Sequence, residues 1–170
     1  MSDIHWPEKY LPGTTDNYVS NEVIVAGLTS SQVWPYLSDT TYWPAYYKNA
    51  SEIGFEDGGP KLAAGVRFRF TTFGMNVEAE VTEYAQPSEG NPARVSFRAW
   101  IAGSKQENAS ALHAWLIEDL PGGRVRVLTQ ESQIGELAKQ MAMMKPNPVL
   151  NAHQDWLEGL VQAAVTSSEA

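Results

Sequence analysis

The sequence predicts an α+β fold in one domain, built from seven antiparallel strands and one long C-terminal helix. Three observations carry the prediction. Six strand-like segments follow one another between residues 52 and 133, separated by clusters of Gly, Pro and Asn. After Gly135 the apolar period changes from two residues to three and four, the spacing of a helix with one buried face. Ahead of the six segments stand one further strand and two short Pro-containing helical stretches.

In order along the chain, residues 1–17 carry Pro7, Pro12 and Gly13 without periodicity and read as an extended arm. Ile4, Trp6, Tyr10 and Leu11 make that arm sticky enough to pack on something. Residues 18–27 are β-branched and partly alternating, a first strand, and open the domain expected over 18–167. Thr29 or Ser30 offers an N-cap for a short helix over 31–37, and a second follows over 39–48, with Pro35 and Pro44 near their starts. Strands are then expected over 52–56, 65–73, 75–85, 94–102, 109–120 and 123–133. The breaks between them include Gly58-Gly59-Pro60, 87–92, 102–108 and Pro121-Gly122-Gly123. A short helix over 136–144 is stopped by Pro146 and Pro148, and the last helix runs to about residue 167. Its apolar stripe is Leu150, His153, Leu157, Leu160, Val161 and Ala164.

Composition narrows the function. The chain has 170 residues, enough for one ordinary core, and 43% apolar residues with 6 Trp, 7 Tyr and 5 Phe exclude a disordered polymer. Its net charge of −8 and the lack of a basic patch argue against nucleic acid. Without cysteine there is no disulfide framework, thiolate nucleophile or cysteine-held metal. No run of 18 apolar residues suggests membrane insertion, and a soluble cytoplasmic protein is the expectation. Phosphate loops, dinucleotide fingerprints, nucleophile elbows and His-Glu-x-x-His motifs are all missing.

The order of elements resembles the START-like superfamily, also called SRPBCC, which includes polyketide cyclase and dehydrase homologues. Val33-Trp34, Asp39 with Trp43-Pro44, Gly65 at a strand start and Gly122-Gly123-Arg124-Val125 at the last hairpin carry the resemblance over residues 18–166. It implies a helix-grip fold, a curved sheet wrapped around the terminal helix and enclosing a cavity for a lipophilic molecule. It implies no single activity, because members include carriers, cyclases, hydrolases, co-chaperones and oxygenase components. Members with iron centres need ligand motifs absent here.

The last hairpin assigns faces. If Leu120 sits opposite Arg124, Glu118 opposes Arg126 as an ion pair on the outer face. Alternation then turns Ile117 with Val127, Trp115 with Thr129 and His113 with Glu131 inward. Phe68, Phe70, Val81, Phe97 and Trp115 supply an apolar wall, with Leu157 from the helix. Thr129, Gln133, His153 and one tyrosine among Tyr42, Tyr46 and Tyr47 are its polar groups, Tyr46 or Tyr47 standing at the mouth by the resemblance. On the outer face Trp100, Leu112, Leu116 and Leu128 form a patch that the arm, through Ile4, Trp6 and Leu11, or a second copy in a homodimer, is expected to cover.

His113 and Glu131 are the candidate acid/base pair, since a carboxylate orients an imidazole and a low dielectric raises the carboxylate. The competing reading is a buried polar pair that only satisfies itself. His153 reads more simply as a core histidine than as a ligand. A two-His, one-carboxylate metal site with Glu131 has no local ligand spacing behind it, so no metal or cofactor is expected. Met141, Met143 and Met144 suggest a flexible lid or a hinge. Three functions stay open: binding of a small lipophilic or aromatic metabolite, a cyclase- or dehydratase-like enzyme using the His/Glu pair, and a co-chaperone-like interaction module.

Overall fold

Two glycines set the register on which the interior depends. Gly122 and Gly123 take φ of 84° and 66°, left-handed values that close the last hairpin tightly and that side chains disfavour. They join β6 (Ser110–Leu120) to β7 (Arg124–Ile134) with Leu120 opposite Arg124, Trp115 opposite Thr129 and His113 opposite Glu131, the pairing expected. The computed structural model describes residues 1–105 and 109–170, so the end of the break expected over 102–108 lies outside the described residues.

The other strands are β1 (Asn17–Ala26), β2 (Ser51–Phe55), β3 (Arg67–Thr72), β4 (Met75–Ala85) and β5 (Ala93–Ile101). All pairs are antiparallel in the order β1-β7-β6-β5-β4-β3-β2. Five hairpin-type neighbours therefore form a meander, and β1 completes the sheet by pairing with β7. Between β1 and β2, which are the two edges, run α1 (Ser30–Ser38) and α2 (Trp43–Tyr46). α3 (Glu136–Met143) and α4 (Pro148–Ser168) follow the sheet, and the long α4 lies in its curved inner face.

Thr29 caps α1 with a reciprocal pair to Gln32, and the helix continues through Pro35 to Ser38, so this proline does not sit at its start. The stretch expected as one helix over 39–48 is instead a 3₁₀ turn, Thr40–Tyr42, followed by the single turn of α2. Asp39 caps the first piece through Thr41 N, and Pro44 at the head of the second supplies no amide hydrogen to join the two. On α4 the buried stripe is Val149, Ala152, His153, Trp156, Leu157, Leu160 and Ala164. Leu150, expected on it, is 38% exposed. Gly159 lets α2 approach: a Cβ there would stand 2.4 Å from the Tyr46 carbonyl oxygen.

β6 is buried on both faces, with α4 on the inner side and the arm on the outer. Ile4 is buried against Ala114, Leu116 and Leu128, with Trp6 packed beside it. Ser2 N donates to both Glu118 oxygens at 3.1 Å, Arg126 Nη1 donates to Ser2 O at 2.7 Å, and Tyr10 Oη pairs with Ser110 Oγ at 2.8 Å. Leu11 does not take part; it is 40% exposed, because the turn at Glu8–Tyr10 presents Tyr10 to the sheet instead. The apolar outer patch thus meets the chain's own arm. Trp100 is covered differently, by Arg98 over its ring and by Glu78, which accepts from its Nε1 at 3.0 Å. Among the described residues no helix is long and apolar enough to cross a membrane.

Candidate functional site

Most of the space between sheet and helix is filled. Trp43 and Trp115 are buried, and Trp43 packs edge-on against Phe68, Phe70 and Trp156 at 6.0, 6.1 and 4.9 Å between centroids. Large side chains pushed together this way leave little void. Among the described residues a cavity of about 110 Å³, partly open to solvent, remains at the end of the sheet covered by α3. It is smaller than the ~300–1,000 Å³ of sites that take drug-sized ligands.

Phe70, Val77, Phe97 and Ala99 come to this cavity from β3, β4 and β5; His113, Glu131 and Gln133 from β6 and β7; His153 and Trp156 from α4; Leu137 and Met141 from α3. Tyr47 closes one side, its ring stacked on Trp156 at 4.4 Å and 17°. Of the residues picked from sequence, Phe70, Phe97, His113, Glu131, Gln133, Tyr47 and His153 are brought together here. Phe68, Val81, Trp115, Thr129, Tyr46 and Leu157 are not among its lining residues. Phe68, Val81, Trp115 and Leu157 belong to the packed core, where the aromatic cluster leaves no space for a ligand. Tyr46 donates to Tyr36 O at 2.9 Å and accepts from Trp156 Nε1 at 3.3 Å, so it ties α1, α2 and α4 together instead of standing at a mouth. Of the three methionines, Met141 lines the cavity, while Met143 and Met144 are 82% and 56% exposed. Trp156 lines the cavity beside them; it lies three residues from His153 and so on the same helical face, the signal in the sequence that points to it.

The polar wall differs from a simple His113–Glu131 pair. His113 Nε2 lies 2.8 Å from Thr129 Oγ1, and the Thr129 hydroxyl donates to Ala114 O at 3.3 Å. Thr129 Oγ1 therefore accepts from His113 Nε2–H, leaving Nδ1 as the lone-pair nitrogen. Glu131 Oε2 instead accepts from Gln133 Nε2 at 2.8 Å and lies 3.7 Å from His153 Nε2. α4 slides the His153 ring flat onto His113, with centroids 4.2 Å apart and planes 5° from parallel. His153 Nδ1 is buried without a hydrogen-bond partner among the described residues.

Burial decides the charges. It pushes Glu131 up to about 7, against the opposing hydrogen bond from Gln133. It pulls His153 down to about 3, and it holds His113 well below the ordinary imidazole value, helped by His153. At neutral pH both rings are neutral, and Glu131 alone is poised to change charge. Donor atoms of His113, Glu131 and His153 lie within 4.8 Å of one another. An ion bound by imidazole lies in the ring plane, and two stacked parallel planes cannot both contain one ion. In this arrangement the trio does not fit a metal.

The curved antiparallel sheet closed on one long C-terminal helix is a helix-grip fold. A crystal structure of a hypothetical protein from Helicobacter pylori matches with a TM-score of 0.90 and 45% identity over 96% of this chain and 97% of its own. The chain belongs to the family of that Helicobacter pylori protein. A protein from Mesorhizobium loti shares the fold at a TM-score of 0.63, with 15% identity over 86% of this chain and 95% of that one. So does a Thalictrum norcoclaurine synthase point mutant solved with a transition-state analogue, at 0.60 and 10% over 89% and 96%. No family model matches the sequence, and no curated protein is similar to it.

Proposed function

We propose that the chain binds one small, compact, largely aromatic molecule in the cavity beneath α3. The observation that carries this is the division of the cavity wall: aromatic and aliphatic faces on most sides, with the polar atoms of Glu131, Gln133, His113 and His153 gathered together. A site of this kind holds a ring by its faces and orients it by one polar group. The volume of about 110 Å³ favours a single ring over a sterol or a long acyl chain. Native mass spectrometry after incubation with a metabolite extract tests the reading. A retained adduct is expected, and Ala99→Phe, which fills the cavity from β5, removes it while the circular dichroism spectrum stays the same. An adduct unchanged in Ala99→Phe, or none in either protein, refutes the proposal.

A second reading, proton transfer on the bound molecule, is favoured by Glu131 standing near neutrality, where a carboxyl both gives and takes a proton. His113 is then a positioning group, since its Nε2 is engaged by Thr129. Turnover of an extract metabolite by the parent protein that Glu131→Gln abolishes, with the circular dichroism spectrum unchanged, supports it. Adduct without turnover in the parent protein leaves binding alone. The narrower polyketide-cyclase assignment falls if the parent protein turns over no extract metabolite.

A further inference from the structure

The cavity holds a carboxylate with no counter-charge. Glu131 is the one acidic residue that lines it, and no Lys or Arg lines it, among the described residues. The neighbouring rings of His113 and His153 offer no positive charge at neutral pH, because burial keeps both unprotonated. A buried ionised carboxylate without a partner is costly, and a bound cation would supply the missing opposite charge. The rings of Phe70, Phe97, Tyr47 and Trp156 line the same cavity, and aromatic rings attract organic cations. An anion would meet Glu131 and nothing to offset it. A neutral molecule would leave the carboxylate uncompensated once ionised. The net charge of −8 further raises the concentration of cations near the protein.

We infer that the ligand is a small organic cation, a protonated amine on a compact aromatic or aliphatic body, with its ammonium on Glu131 and its body among Phe70, Phe97, Tyr47 and Trp156. The inference rests on the reading of the cavity as a ligand site and names the class of molecule. Binding such a cation expels the Glu131 proton, so affinity rises with pH through the range in which the carboxyl ionises. The titratable groups facing Glu131 are His113 on β6, His153 on α4 and Tyr47 after α2; β1 sets Val19 opposite it, and α3 contributes Leu137, Ala138 and Met141. Burial holds the Tyr47 phenol above its ordinary value, so neither it nor the imidazoles change charge between pH 6 and 8.

Isothermal titration of the full chain with benzylamine, benzyl alcohol and benzoate, three single-ring probes differing in charge, separates the possibilities. At pH 8 benzylamine is expected to bind at least tenfold more tightly than benzyl alcohol, and benzoate not at all. Between pH 8 and pH 6 the benzylamine affinity should fall roughly tenfold as Glu131 takes up its proton, while that of benzyl alcohol holds. Glu131→Gln should level the amine and the alcohol. Preference for benzyl alcohol or benzoate overturns the cation assignment and leaves the cavity as a ligand site. Binding of none of the three, together with the absence of any adduct by native mass spectrometry, overturns both.

Discussion

Glu131→Gln should make this protein more stable at alkaline pH, an unusual result for removing a polar contact from an interior. In the folded chain burial sets the Glu131 carboxyl at about 7, against an ordinary 4.5 in the unfolded chain. The group therefore takes up a proton on folding between those values, and its contribution to stability falls as pH rises through them. At roughly 1.4 kcal/mol per pH unit the loss amounts to about 3 kcal/mol once pH exceeds 7. A glutamine side chain at this position has no charge to bury and keeps an oxygen for the amide of Gln133. Other titrating groups, including His113 and His153, whose lowered values cost stability as pH falls below 6.5, are common to both proteins and cancel in the difference. Urea denaturation of both proteins from pH 4 to pH 8.5 measures it. The variant should gain about 3 kcal/mol relative to the parent between pH 4.5 and 7 and no more above that range. A difference that does not change with pH, or one that grows in favour of the parent as pH rises, refutes the account of Glu131 as a carboxylate without a counter-charge.

Three further perturbations address the scaffold. Ile4→Ala uncovers Leu116 and Leu128 on the outer face and should cost about 2 kcal/mol by thermal denaturation, with deletion of residues 1–14 costing more and promoting self-association seen by light scattering. Gly159→Ala places a methyl group against the Tyr46 carbonyl and should lower stability by about 1–3 kcal/mol, with loss of any binding that depends on Tyr47. Arg126 bridges Glu22 at 2.6 Å and Glu118 at 3.1 Å. Burial alone would raise Glu118, but Ser2 and Arg126 outweigh it and hold the carboxyl below its ordinary range. Arg126→Ala should therefore cost about 3 kcal/mol at pH 7 in chemical denaturation, and markedly less in acid once Glu118 is protonated and no longer leaves a buried charge unpaired.

Much of the fold was legible because its signals are local. Alternation in segments such as Arg67–Thr72, with Phe68 and Phe70 buried and Arg67 and Arg69 exposed, is a property of neighbouring residues, and so is the Gly122-Gly123 turn. From that turn the facing of His113 and Glu131 followed by counting. The second helix is less legible because Pro44 and the Asp39 cap divide it, a competition between local bonds that periodicity does not register. The buried stripe of α4 runs through Trp156 and not through Leu150, which turns toward solvent, because the sheet's curvature selects the face and the helical period alone does not.

By itself, then, the sequence determined the order of the elements, the register of the last hairpin, the inward set of the sheet and the arm's need for a surface. Those follow from turn chemistry and from the two-residue and three-to-four-residue periods of strand and helix. Only the tertiary structure decided that Trp43, Phe68 and Trp115 fill the interior while Phe97, Trp156 and Tyr47 bound what is left. It also decided that Glu131 answers to Gln133 and His153, and that His113 turns to Thr129. Each of these depends on how far α4 reaches into the curve of the sheet. The depth is set by the summed volumes of side chains as far apart in the chain as Trp43 and Trp156, and no local pattern encodes it.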